Sequence, residues 1–178
     1  MDGTHDELRR IKEPATPVAG PYGHPFHPIA VTIPIGTWAA SLLFDVASHR
    51  SDEPRVFARG SAELVKTGLA GGAAAALLGF LDYLKIPKKS AAGVTAATHM
   101  ALNVTCMALY AVNLAQRERR LHAAATRDDA VPGNEIGLSL LALGLLGASG
   151  WLGGMLSYSF GVRVADERTQ LEGLRPVI

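Results

Sequence analysis

The sequence contains little cysteine, few aromatic residues and almost no excess of either charge. Cys106 is the only cysteine among 178 residues, which excludes an internal disulfide and any zinc or iron–sulfur site built from several cysteines. Aromatic residues make up 6% of the chain, so Ala, Leu, Val and Gly provide most of its apolar surface. The 17 basic and 16 acidic residues are scattered along the chain. The concentrated positive face that nucleic acids require is therefore missing.

Recognisable catalytic motifs are missing as well. The sequence has no phosphate-binding loop, no HExxH, no nucleophile elbow and no paired catalytic carboxylates. Serine, histidine and aspartate all occur, but nothing in their spacing fixes the geometry of a triad. We therefore expect no catalytic residue, no metal site and no enzymatic activity. We also expect no cleavable signal peptide, because residues 1–22 are charged and rich in proline where an apolar core should begin.

Long apolar stretches are present instead, at about residues 28–49, 61–83, 91–114 and 136–160. Each is long enough for a helix to cross a hydrocarbon layer of about 30 Å. The fourth, LLALGLLGASGWLGGML, lacks the polar stripe of a helix in a soluble bundle. The predicted fold is an all-α integral membrane bundle of four transmembrane helices in residues 23–164, surrounded by lipid. Residues 1–22 and 165–178 are predicted to be polar tails.

Four spans place both termini on one side of the membrane, which we call side A. The loops after the first and third spans, the latter containing Arg117, then lie in water on side B. Lys and Arg are divided too evenly between the two sides to indicate which one is cytoplasmic.

Two charged residues lie about one helical turn inside side B. Asp45 comes near the end of the first span and Lys66 near the start of the second. Charged groups in a membrane need a partner or a route to water. The sequence therefore predicts an ion pair between them or, alternatively, a snorkelling Lys66 with Asp45 near the headgroups. Both alternatives are structural rather than catalytic.

Polar and aromatic groups from all four spans gather in the side-A half. His24 and His27 precede the first span, and the other spans contribute Asp82, His99, Asn103 and Tyr158. His99 lies about 12 Å below the start of its span. Asn103 is four residues further on and shares its helix face. We expect this polar cluster to face the interior of the bundle, where hydrogen-bond partners are available.

The stretch GHPFHP, residues 23–28, has two interpretations. Pro25 and Pro28 suit the entry of a helix, with His24 and His27 as capping residues. Alternatively, an imidazole can bind haem iron or carry a proton, and His24 or His27 can approach His99. Pro34 predicts a kink in the first span.

Glycines recur through the fourth span. Gly147, Gly150 and Gly154 leave one helix face nearly bare, and the last two have GxxxG spacing. The common use of such a face is close helix packing, within the bundle or between copies of the chain. Room for a flat macrocycle is the rarer alternative.

Several motifs together resemble a known family. GHPFHPIAVTIPIGTW, SLLFD, GFLDYLKIP, HMALN and SGWLGGMLSYSFGVRV follow one another as in the bacterial four-helix membrane proteins grouped as domain of unknown function 2231. The likeness covers about residues 23–164 and implies their fold without implying an activity. In some relatives this module is joined to a Rieske-type domain, which implies a redox setting by association. Three positions depart from the pattern, because Thr32 and Phe160 stand where relatives commonly have histidine and Met155 where they have an acid.

Three functions are compatible with the sequence. The first is a non-enzymatic accessory or scaffold subunit of a larger membrane complex, such as a respiratory or other redox complex, in a bacterial plasma membrane. Its partners would be other subunits or copies of itself. The second is an electron-transfer protein that binds haem b through His99 and His24 or His27, although these histidines differ in predicted depth. The third, transport of a proton or small solute, has the least support, because no inverted repeat is evident.

Overall fold

The computed structural model describes residues 2–123, 129–172 and 174, which form helices and no strand. The α-helices are α1 Asp2–Lys12, α2 Phe26–Ala30, α3 Thr32–Ser48, α4 Pro54–Tyr83, α5 Ala91–Ala123, α6 Gly133–Gly154 and α7 Glu167–Glu172. A π-helical turn extends α6 through Met155–Ser159. Four stretches are long and apolar enough to span a membrane, namely Phe26–Ser48, Pro54–Tyr83, Ala91–Ala123 and Gly133–Ser159. The predicted four-helix transmembrane bundle is confirmed.

The first span is interrupted close to its start. Pro34 has no amide hydrogen to donate to the carbonyl of Ala30, and α2 ends at that residue. The chain then continues into α3 after a single residue, Val31. This interruption lies one turn before Pro34, where the kink is predicted, and it separates the short helix α2 from the rest of the span.

The third span is longer than predicted. Helix α5 has 33 residues, which corresponds to about 50 Å at the usual rise. It therefore extends beyond the hydrocarbon on side B. The prediction that Arg117 lies in a water-exposed loop was wrong, because the charged run contains no glycine or proline to end the helix, and Arg117 is fully buried.

The four spans form two helical hairpins. Helix α3 packs chiefly against α4, and α5 packs chiefly against α6. Three pairs of side chains join the first helix of one hairpin to the first helix of the other: His27 with His99, Trp38 with Tyr110, and Asp45 with Arg117. The two members of every pair are 72 positions apart. Helices α3 and α5 therefore run parallel at the same depth, and the three pairs lie along the line between the hairpins.

The second helices of the two hairpins, α4 and α6, are also related by a constant offset in the sequence. His27 Nδ1 lies 2.8 Å from the carbonyl oxygen of Ala75, and His99 Nδ1 lies 2.8 Å from that of Ser149. Further down, Trp38 donates to the Val65 carbonyl and Tyr110 to the Ser139 carbonyl, at 3.3 and 3.5 Å. Both pairs of acceptors are separated by 74 positions. The bundle is a parallel structural repeat of two hairpins, which sequence identity alone does not reveal.

A buried polar network joins all four helices near side B. Asp45 and Arg117 are both fully buried, and their two oxygens and two terminal nitrogens pair at 2.7 and 2.8 Å. The guanidinium also donates to Ser61, Asn113 and Ser139, from helices α4, α5 and α6. All five N–H groups of arginine can thus be satisfied. The network therefore fixes the relative positions of the four helices.

Lys66 takes no part in this network. Its Nζ lies 2.7 Å from Glu63 and 3.3 Å from Glu118, and half of its side chain is exposed. The predicted ion pair between Asp45 and Lys66 was therefore wrong. Arg117 offers Asp45 two aligned donors inside the bundle, whereas Lys66 remains at the surface as in the alternative prediction.

The glycines of α4 lie at closer helix contacts than the three glycines predicted for packing in α6. A Cβ atom added to Gly68 would collide with Trp38 and Thr37, and one added to Gly71 would collide with Ile33. By contrast, a Cβ added to Gly147 or Gly150 would meet no atom within 4 Å, and one added to Gly154 would meet only Tyr158. The prediction of packing through these three α6 glycines is therefore wrong within the bundle.

The N-terminal segment, residues 2–25, packs across the side-A end of the bundle. Ile11 is buried with Ile86, Leu156 and Val162, among other apolar residues. The predicted polar tail thus has an apolar contact that its composition concealed. The C-terminal tail begins with α7, whose first turn is capped by Asp166. The bond from the Thr169 amide to this carboxylate lowers the pKa of Asp166.

Arg163 holds the N-terminal segment in place. Its guanidinium is buried and donates to the carbonyls of Ala19 and Gly20 at 3.0 Å, and its own amide donates to Ile11. The backbone of Arg163 has φ of 61°, a conformation that residues other than glycine rarely adopt. The N-terminal segment and the loop that contains Arg163 therefore hold each other in position.

Replacing Arg163 with alanine should release the N-terminal segment. Because the guanidinium bonds to the segment would be lost, we expect a lysine-specific protease to cleave after Lys12 at least about tenfold faster, as a loss of about 1.5 kcal/mol in local stability implies. Arg168→Ala, in exposed α7, is the control. Equal cleavage rates in the two variants would contradict this role of Arg163.

Candidate functional site

A cavity of about 440 Å³ lies between the two hairpins in the side-A half of the bundle. Its wall is mainly apolar and includes residues from all four spans. Trp38, stacked on Tyr110 with ring centres 4.2 Å apart, closes it toward side B. Toward side A its wall includes Arg163 and Pro25, the last residue of the N-terminal segment.

The cavity opens sideways between the hairpins. On one side it is bordered by Phe80 of α4 and by Met100 and Val104 of α5, and all three are also exposed on the outer surface. On the opposite side it is bordered by Ile35 of α3 and by Tyr158, which are exposed too. In a membrane these openings face acyl chains. The cavity therefore borders surface residues of the spans that face lipid in a membrane.

His27 enters the cavity from the first hairpin. Its Nδ1 donates to the Ala75 carbonyl, which is only an acceptor, so Nδ1 carries the hydrogen and Nε2 keeps a lone pair. The ring lies against Gly79, where a Cβ would be only 2.9 Å from the imidazole. Because Ala75 lies two helical turns inside the end of α4, His27 is as deep as His99. The predicted difference in depth between these histidines was wrong.

His99 is held in the same manner by the second hairpin. Its Nδ1 donates to the Ser149 carbonyl, and its ring lies against Gly153. Asn103, one turn further on, donates to Ser149 Oγ at 2.7 Å and to the His99 carbonyl at 2.9 Å, and its amide nitrogen also lies 3.1 Å from His99 Nε2. The expected inward orientation of His99 and Asn103 is confirmed.

The two imidazoles face each other across the line between the hairpins. Their ring centres are 6.2 Å apart and their planes are nearly perpendicular, at 88°. Ser149 Oγ also lies 2.9 Å from His99 Nδ1. That nitrogen carries the hydrogen donated to the Ser149 carbonyl and has no lone pair with which to activate the hydroxyl. The arrangement fits ligand binding better than nucleophilic catalysis.

Asp82 forms an ion pair in the wall of the cavity. Its Oδ1 lies 2.9 Å from Arg163 Nε, and both side chains are buried. The N–H is not aligned with the oxygen, so both atoms lack a hydrogen-bond partner, unlike the other buried side-chain atoms of the described residues. Asp82 therefore faces the interior of the bundle, as expected, and its partner is Arg163.

Other predicted residues lie outside this cluster. His24 is exposed and does not line the cavity, and Tyr158 borders the cavity but is 91% exposed. Neither histidine caps α2, because the N-cap residue is Pro25 and no side chain bonds to this helix end. Residues 2–123, 129–172 and 174 contain no group of three or more metal-binding side chains.

Sequence analysis missed Arg117 and Arg163. Arg117 follows Cys106, Tyr110 and Asn113 at steps of three or four residues, which marks a single buried helix face. That signal was available but was obscured by the adjacent charges. Nothing in the sequence around Arg163 indicates that its guanidinium binds carbonyls more than 140 positions away.

Comparison with known proteins agrees with this architecture. The family DUF2231, described as a predicted membrane protein, matches residues 23–166. No curated protein and no solved structure matches the chain. The match covers both hairpins, the two histidines of the cavity and Arg163. The chain therefore belongs to the DUF2231 family of predicted membrane proteins.

Proposed function

We propose that this protein is a non-enzymatic accessory subunit that holds a membrane-soluble ligand in the cavity between its hairpins. The supporting observation is the cavity itself, which lies between the hairpins and has a mainly apolar wall that includes residues exposed on the outer surface of the bundle. Its volume lies within the range of about 300–1,000 Å³ typical of small-molecule sites. Apolar walls with a few fixed polar groups, here His27, His99 and Asn103, are also typical of such sites.

The outer face of α6 favours the accessory role. Gly144 and Gly147 are exposed there, a Cβ added to either would meet no atom within 4 Å, and Trp151 is 75% exposed. Such a face allows another transmembrane helix to approach the backbone closely. We propose that the partner on this face is another subunit of a larger redox complex in a bacterial plasma membrane. The alternative partner is a second copy of the chain. We do not propose transport, because Trp38 and Tyr110 form a packed layer between the cavity and side B.

The ligand should be lost when the cavity is filled. Gly150 lines the cavity and has room for a side chain, so Gly150→Leu should reduce the amount of bound small molecule at least about tenfold, because volume and contacts are lost together. Native mass spectrometry of protein extracted in mild detergent measures this. Gly144→Leu is the matched control, because Gly144 has the same free space outside the cavity. Equal adducts in both variants, or no adduct in the unaltered protein, would contradict the proposal.

A further inference from the structure

We propose that His27 and His99 are the two axial ligands of a b-type haem held between the hairpins. This inference rests on the proposed ligand-binding function of the cavity and names the ligand. Each hairpin supplies one imidazole from an equivalent position, so the two ligands reach the site from opposite sides.

The protonation of the two rings suits ligation. Both Nδ1 atoms donate to backbone carbonyls, which leaves both Nε2 atoms with lone pairs. Histidines that bind metals usually donate their other ring hydrogen to a carbonyl or carboxylate in this way, which orients the ring and increases its basicity. In this protein the acceptors, Ala75 and Ser149, belong to rigid helices rather than to loops.

The spacing of the rings also suits a shared metal ion. Two imidazole nitrogens at about 2 Å from one metal, on opposite sides of it, would place the ring centres about 6 Å apart. The ring centres of His27 and His99 are 6.2 Å apart.

Two imidazoles are too few for a metal site made by protein alone. Structural zinc sites use four side chains and catalytic ones use three, whereas no third metal-binding side chain joins these histidines in the described part of the chain. A metal that brings its own equatorial nitrogens, as haem iron does, needs only two axial ligands. The cavity next to the two rings has a mainly apolar wall, as the flat apolar face of a macrocycle requires, and Gly79 and Gly153 let the imidazoles lie close against α4 and α6.

The contact between Asn103 and His99 does not prevent ligation. An amide group has two hydrogens, whereas Asn103 Nδ2 lies near three acceptors, at 2.7, 2.9 and 3.1 Å. The longest of these distances is the one to His99 Nε2. Asn103 can therefore release this nitrogen and keep its bonds to the Ser149 hydroxyl and the His99 carbonyl.

Visible absorption of the full chain in mild detergent tests the proposal. The protein is produced with a haem precursor, purified, and then titrated with hemin. We expect a strong Soret band and saturation at equimolar haem. His27→Ala and His99→Ala should each lower haem affinity at least tenfold, whereas His24→Ala, at the exposed histidine of the same stretch, should leave it unchanged. Elution as a single peak on size exclusion confirms that each variant is folded.

Three results would overturn the assignment. They are the absence of a Soret band after titration, equal haem binding in all three histidine variants, and a spectrum that is unchanged in folded His27→Ala protein. If native mass spectrometry then finds another small molecule that Gly150→Leu removes, only the identity of the ligand is wrong. If it finds none, the proposed cavity function fails as well.

Discussion

Arg117→Met should destabilise the bundle more than any other single substitution of a charged residue. It would leave the fully buried carboxylate of Asp45 without its charged partner, and breaking a buried ion pair in this way costs about 3–5 kcal/mol. It would also leave Ser61 Oγ without a donor, whereas Ser139 Oγ would lose one of its two donors and keep Asn113. We expect a loss of most folded protein from the membrane fraction, or a correspondingly lower midpoint in thermal unfolding in detergent.

Two further variants separate charge from packing. Arg119→Met changes an exposed arginine two positions away and should have little effect. The double variant Asp45→Leu with Arg117→Met should recover much of the lost stability, because it removes both buried charges together. If the double variant is as unstable as Arg117→Met alone, the destabilisation does not come from the unpaired carboxylate.

Gly68→Val should give the second largest loss of stability. A Cβ at this position would overlap the indole of Trp38 and the hydroxyl of Thr37, and both belong to the facing helix α3. The helices would have to move apart, and such overpacking costs about 1–3 kcal/mol. Displacement of Trp38 would also disturb its stacking on Tyr110. Thermal unfolding in detergent measures the effect.

Gly147→Val is the matched control for this substitution. It places the same side chain on an exposed face of α6 where no atom lies within 4 Å. We expect a change of less than about 0.5 kcal/mol, as for other surface substitutions. Equal losses in the two variants would contradict the conclusion that Gly68, and not Gly147, lies at a close contact between helices of the bundle.

The sequence was sufficient for the fold because span length and hydrophobicity dominate in a membrane. Four apolar stretches allow only helices, since a lipid-exposed backbone must satisfy its own hydrogen bonds. The ends of the spans were less certain, because charged residues continue a helix when no glycine or proline stops it. Arg117 is the clearest example. Its charge predicted a water-exposed position, whereas its helix face predicted a position in the interior of the bundle.

The candidate site was only partly predictable. Its members on a single helix, His99 and Asn103, follow from four-residue spacing. The approach of His27 to His99 does not, because it depends on α2 starting deep inside the bundle after a segment that crosses the side-A end. The choice of Arg117 over Lys66 as the partner of Asp45 likewise depends on the parallel alignment of α3 and α5, which no local pattern specifies.

The central claim is that the two hairpins meet inside the membrane with His27 beside His99. Solid-state NMR of histidine-labelled protein in lipid bilayers measures this contact directly. We expect a through-space cross-peak between two of the six imidazoles. The cross-peak should be lost in both His27→Gln and His99→Gln and retained in His24→Gln. If no contact between imidazoles is observed in folded protein, or if the contact survives both substitutions, the proposed meeting of the hairpins is contradicted.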